Sequence, residues 1–281
     1  MKKNIYSRAF VIFFLFLLSS NTYADPVIQN VKELLEEGHY VEAISQMEQL
    51  PKEKSLTSAR ILNALGWAYL KIGNYKKAKN NLQASFELAK DLDNKEIVNI
   101  AANNLGILAY LENDLDQAEK YFNVSKKANS QTALTYLKMV DKKKTQIQFQ
   151  EALLSGIELR RKQDFKGAID KYEKALSIEP NDVGALEFKG YALLRNHQYD
   201  LSVKTLEKAK ILDPSRKFTH LNLVKAYCML HSEKDVQRSI EESGLKIDKF
   251  IEWYNVDTEF RQMCRQNIYV NEFISKHRIN E

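Results

Sequence analysis

Phe165-Lys-Gly-Ala168-Ile-Asp-Lys-Tyr172-Glu-Lys-Ala175-Leu-Ser-Ile-Glu-Pro180 is echoed by Tyr199-Asp-Leu-Ser202-Val-Lys-Thr-Leu206-Glu-Lys-Ala209-Lys-Ile-Leu-Asp-Pro214, each matched pair 34 residues apart. Gly156 and Gly190 keep that offset, as do Leu159 and Leu193. Self-similarity at a fixed period of this size marks an array of supersecondary units, each burying its apolar face against the next. Within one unit the large apolar residues fall about seven apart, on one side of a helix. Pro180 and Pro214 then stop it, because proline cannot continue a helix.

Working outward, an upstream pair of units repeats the pattern at a longer spacing. Leu65-Gly66, Tyr75, Ala78, Leu82 and Ser85 recur as Leu105-Gly106, Leu115, Ala118, Phe122 and Ser125, an offset of 40. The additional residues fall near Lys90 to Glu96. In each unit a glycine (Gly66, Gly106, Gly156, Gly190) sits where a first helix must approach a second closely. Ala78, Ala118 and Ala168 answer it from the second helix. Tyr75, Leu115, Phe165 and Tyr199 open that second helix, and Gly73-Asn74 and Asn113-Asp114 form the turn before it.

These four units, roughly Ala59 to Pro214, resemble the tetratricopeptide repeat family. The resemblance implies an all-α fold, a right-handed α-solenoid of antiparallel helix pairs. The division expected is a degenerate first repeat at 25–58, two lengthened repeats at 59–128 and two 34-residue repeats at 149–216. A degenerate repeat at 217–243 and a helical C-terminal cap at 244–281, of one or two helices, complete it. Gly38-His39-Tyr40-Val-Glu-Ala43 reads as the turn and second helix of the first repeat. Gly106 to Gly156 spans 50 residues, more than either period. An irregular helical joint is therefore expected at 129–148, with 130–162 forming one long helix or two broken near Asp141 to Thr145.

The first 24 residues stand apart from the repeats. Lys2, Lys3 and Arg8 precede an uncharged apolar run from Ala9 to Leu18, and Thr22-Tyr23-Ala24 ends in a small residue. That is the pattern of a secretory signal peptide cut before Asp25. The run is about half the ~20 residues that span a bilayer, and no later segment is apolar enough to cross one. The periplasm of a Gram-negative bacterium is the place expected, with secretion or N-terminal anchoring as alternatives. The whole chain carries a net charge of +5; without the three positives of the leader it stands at +2. A nearly neutral chain has no electrostatic footprint for nucleic acid. Cys228 and Cys264 are the only cysteines. An oxidising compartment permits a disulfide between them, and two buried thiols are the other reading.

Catalytic signatures are missing. There is no phosphate-cradling glycine loop, no His-Glu-x-x-His and no nucleophile elbow. No Cys-x-x-Cys is present for structural zinc. The expectation is a non-enzyme with no cofactor and no metal. The family resemblance implies that the first helices line a concave groove for an extended peptide or a helix of a partner protein. The candidates for that groove are Asn63, Trp67, Asn103, Asn104, Ile107, Tyr110, Arg160, Tyr191 and Arg195. Asparagines supply both donor and acceptor to a bound backbone, aromatics anchor apolar side chains, and arginines pair with acidic groups. The function expected is an adaptor or scaffold of the cell envelope. A regulatory accessory subunit of an envelope enzyme, or of a pilus or outer-membrane assembly complex, is the alternative.

Overall fold

The structure is a computed structural model that describes residues 26–51, 53–127 and 130–278; the leader at 1–24 lies outside them. Among the described residues there are helices and no strands. The chain divides into two compact units between Lys144 and Thr145.

The first unit contains three helix pairs. They are α1 (Pro26–Glu37) with α2 (Tyr40–Glu48), α3 (Leu56–Lys71) with α4 (Tyr75–Asp91), and α5 (Lys95–Leu111) with α6 (Leu115–Lys126). Helix α7 (Gln131–Arg161) follows and runs without interruption for 31 residues. The irregular joint expected at 129–148 is thus replaced, from Gln131 on, by continuous helix. No proline or glycine before Gly156 interrupts the backbone hydrogen bonds there, so nothing breaks it near Asp141.

In the second unit the last turns of α7 precede α8 (Phe165–Ile178). The pair α9 (Val183–Arg195) and α10 (Tyr199–Leu212) comes next, then α11 (Lys217–Met229) and α12 (Glu233–Glu242). Three helices close the described chain: α13 (Ile247–Val256), α14 (Thr258–Cys264) and α15 (Ile268–Arg278). The C-terminal segment therefore holds three helices rather than one or two. Asp257 divides it, accepting a hydrogen bond from the Phe260 N–H and so starting a new helix after α13.

One turn geometry joins every pair. The residue two places before the second helix has positive φ: Gly38 at 86°, Gly73 at 77°, Asn113 at 64°, Gln163 at 63°, His197 at 59° and His231 at 55°. Such a residue reverses the chain in minimal length. In three of the turns the next side chain then caps the new helix. Asn74, Asp114 and Asp164 accept from the N–H groups of Lys77, Gln117 and Gly167.

Close approach within the pairs is set by the repeated glycines. A Cβ on Gly66 would lie 2.5 Å from Leu82, on Gly106 2.7 Å from Phe122, on Gly156 2.5 Å from Tyr172, and on Gly190 2.5 Å from Leu206. Leu82, Phe122, Tyr172 and Leu206 are fully buried. At Gly66 the added atom would also stand 3.0 Å from the Leu82 backbone nitrogen, so the helices must part. Overpacking of this kind costs about 1–3 kcal/mol, against a gain of about 1 kcal/mol in helix propensity. Gly66→Ala is expected to lose on the order of 1 kcal/mol in urea unfolding, by the difference of those two magnitudes. A stabilised variant would contradict the close-approach account.

Helices α3 and α5 also pack directly on one another, as do α9 and α11. Contact of that extent does not join α4 to α6, or α10 to α12, among the described residues. Within each unit the first helices therefore form the inner layer.

Candidate functional site

In the first unit the inner layer is tighter than the groove expectation allows. Every residue of α5 from Ile100 to Ala109 is buried. That stretch carries no charge, and the small Ala101, Ala102, Gly106 and Ala109 let its neighbours close over it. Four candidates are thereby withdrawn from solvent: Asn63 and Asn104 at 1% and 0% exposure, and Asn103 and Ile107 at 6% and 5%. Asn104 donates from Nδ2 to Asn63 Oδ1 at 3.0 Å, a buried bond that ties α5 to α3. The acceptors Asn103 Oδ1 and Asn104 Oδ1 are both buried with no hydrogen-bond partner. A buried acceptor left in that state costs about 1–3 kcal/mol unless a donor reaches it.

Trp67 and Tyr110 keep part of their surface exposed. Each lies beneath a lysine. Lys71 Nζ stands 4.6 Å from the Trp67 ring centroid, and Lys143 Nζ 5.0 Å from that of Tyr110. Tyr110 meets the edge of Tyr136, which in turn stacks on the buried Phe122. Tyr110 is thus partly buried against the core, with Lys143 over its ring. Nearby, Lys144 bonds Asp116 at 2.6 Å and Glu119 at 2.7 Å, and these hydrogen bonds push its pKa up to about 12.

The inner face of the second unit brings Arg160, Tyr191 and Arg195 together. The Arg160 guanidinium lies 5.2 Å from the Phe188 ring centroid and 5.6 Å from that of Tyr191. Arg195 lies 4.6 Å from the Phe165 ring and donates from Nη1 to the Tyr191 hydroxyl at 3.0 Å. Cation–π contacts of this geometry fix both partners. Burial works to lower the pKa of Arg195, and the Tyr191 hydroxyl and the Glu259 carboxylate outweigh it, so the net shift is upward.

Glu259, on α14, was not anticipated from sequence. Arg195 Nε lies 2.7 Å from Glu259 Oε1. The Tyr191 hydroxyl donates to Oε2 at 3.2 Å, and Lys225 Nζ on α11 reaches the same oxygen at 3.2 Å. Lys225 also pairs with Asp257 at 2.6 Å, and its side chain is only 6% exposed. A contact across 68 residues leaves no local pattern to read. The one available signal was Asp257-Thr258-Glu259 itself, two carboxylates opening a helix.

Burial would raise the Asp257 pKa, yet the hydrogen bond from Lys225 holds it below the ordinary 3.8. A carboxylate depressed in the folded state contributes stability above its unfolded pKa and loses it as pH falls through the folded one. The stability deficit of Asp257→Asn is therefore expected in full at about pH 6 and gone by about pH 2, as linkage requires. Urea titrations of both chains across that range check it; a deficit independent of pH would contradict the pairing.

Cys228 on α11 and Cys264 on α14 are joined in a disulfide, with Cα atoms 5.0 Å apart. Both side chains are buried. No group of three or more His, Cys, Asp or Glu among the described residues could hold a metal ion.

The tetratricopeptide repeat model matches residues 63–133 and 153–217, one stretch beginning in each unit. The chain belongs to the tetratricopeptide repeat family. Among solved structures, the TPR2AB-domain:pHSP90 complex of yeast Sti1 is similar at 18% identity with a TM-score of 0.52, over 86% of this chain and 97% of that one. PilW, titled a widely conserved type IV pilus biogenesis factor, aligns at 14% identity with a TM-score of 0.37, over 79% of this chain and 93% of that one. At 18% identity the likeness to the Sti1 complex is one of fold alone. Tetratricopeptide repeats bind peptides and proteins, and are generally interaction modules rather than catalysts. No helix among the described residues is long and apolar enough to cross a membrane.

Proposed function

We propose that the protein is a non-catalytic adaptor of the cell envelope that holds a segment of another protein against the inner faces of its helix pairs. The observation that carries this reading is the set of half-exposed aromatics under cations on those faces: Trp67 with Lys71, Tyr110 with Lys143, and Tyr191 with Arg160 and Arg195. Aromatic and arginine side chains in that state are what interface hot spots are made of.

Export is part of the proposal. It is supported by the charged and apolar pattern of residues 1–24 and by a buried disulfide, a bond that persists in oxidising compartments. Replacing Trp67 and Tyr110 together by alanine is expected to lower retention of the partner from an envelope extract by tenfold or more, a shift of about 1.4 kcal/mol. Circular dichroism should show the variant still helical at the working temperature. Undiminished retention by a folded variant would sink the reading for the first unit.

A further inference from the structure

Two methionines and a histidine gather around the Cys228–Cys264 bond. Met229 follows Cys228 at the end of α11, and Met263 precedes Cys264 at the end of α14. The bond holds the two cysteine Cα atoms 5.0 Å apart. It therefore keeps two half-buried methionines close together although they are distant in the chain. His231 joins them, exposed, from the turn after α11. Its N–H donates to the Cys228 carbonyl at 3.2 Å, and its φ of 55° reverses the chain there. Met229, His231 and Met263 all line one pocket of about 370 Å³ against Cys228.

We propose that Met229, His231 and Met263 form a binding site for one copper(I) ion, with the Cys228–Cys264 bond as its frame. Both cysteines are engaged in the bond, so neither offers a thiolate. The donors left are two thioethers and an imidazole, uncharged and polarizable. Thioether sulfur selects copper(I), and imidazole suits copper as well. Zinc is held by thiolate, imidazole or carboxylate, and no group of three such residues stands together among the described residues. Calcium and magnesium take oxygen ligands. Charge points the same way. Arg265 lines the pocket and no carboxylate does, among the described residues. Repulsion from that guanidinium grows with the charge of the ion, which favours a monovalent one. The bond and the His231 turn fix all three donors to one backbone frame, so little of the chain has to be ordered when the ion arrives.

The test uses the full chain and silver(I), a monovalent soft ion that needs no reductant and so leaves the disulfide intact. The methionine methyl groups are followed by NMR during the titration. The signals of Met229 and Met263 are expected to move together and to saturate at one equivalent, while those of Met47 and Met139 stay where they are. Copper(I) is then offered anaerobically from a competing chelator, with a thiol assay confirming that the bond is whole. The same stoichiometry is expected, and zinc(II) should move neither methyl signal. Met229→Leu/Met263→Leu conserves volume and apolar packing. It is expected to weaken copper(I) binding by more than the roughly 10–100-fold that loss of an outer partner of a metal ligand costs. His231→Asn removes the imidazole and tolerates the same backbone, and it too should weaken binding.

A double variant that melts as the unsubstituted chain does, yet takes up copper(I) undiminished, overturns the proposal: the methionines then only fill space. Methyl signals of Met229 and Met263 that stay still in the unsubstituted chain overturn it as well, and that result needs no variant to fold. No residue of the inner faces takes part in this site. Partner retention through Trp67 and Tyr110 therefore stands or falls apart from it.

Discussion

Arg216→Ala is expected to lower the stability of the second unit by about 3 kcal/mol, the scale set by leaving a buried charge without its partner. Glu187 lies on α9 with its side chain 7% exposed. Arg216 grips it with two bonds, Nε to Oε2 at 3.0 Å and Nη2 to Oε1 at 2.9 Å, and Thr219 Oγ1 donates at 2.7 Å. The fork matches the carboxylate, which is the arrangement that makes arginine irreplaceable by lysine. It also ties α9 to the segment after Pro214 that enters α11. Without Arg216 the carboxylate keeps only the Thr219 hydroxyl in a place water scarcely reaches. Adding Glu187→Gln removes the stranded charge and should restore most of the loss. Urea unfolding at neutral pH measures both. A loss below about 1 kcal/mol, the level of an exposed pair, would contradict the buried character of this site.

The second large effect is that of the disulfide. Replacing Cys228 and Cys264 by serine is expected to cost about 3–4 kcal/mol, from the loop entropy of a cross-link closing 36 residues. Both sites are buried, so two hydroxyls in place of sulfur add a desolvation cost in the same direction. The loss should be local. Amides of α13 to α15 are expected to lose protection from hydrogen exchange, whereas α3 to α6, in the other compact unit, keep theirs. A uniform loss over both units would mean that the bond stabilises something other than the C-terminal segment.

The helix pairs were legible because their packing leaves a steric trace in the sequence. Gly66, Gly106, Gly156 and Gly190 each face the large residue sixteen places on, where an added Cβ would stand within 2.7 Å of it. The turns were legible only in part. Gly73 and Asn113 announce a left-handed backbone, but Gln163, His197 and His231 adopt it too; glutamine carries no such signal, and histidine's enrichment there is too weak to place a turn by itself. The continuity of α7 follows from the absence of breakers before Gly156, a negative sign that sequence leaves compatible with two helices.

The inner faces were harder to read. Family geometry assigned Asn103, Asn104 and Ile107 to a groove, yet the stretch from Ile100 to Ala109 carries no charge and is apolar apart from those two asparagines, and a segment of that kind is buried all round. That warning was present in the sequence. The Asn63–Asn104 bond and the grip of Arg195 and Lys225 on Glu259 were not, since pairs 41, 64 and 34 residues apart depend on how helices stack.

The central claim, that the inner faces of the helix pairs hold another protein, is tested most directly by photo-crosslinking in the producing cell. A photoreactive residue is placed in turn at Trp67, at Tyr110 and, as a control, at Lys126, which is exposed on the second helix of its pair. The account predicts discrete adducts with one protein from positions 67 and 110, and none from position 126. Adducts from position 126 alone, or from none of the three, would contradict it.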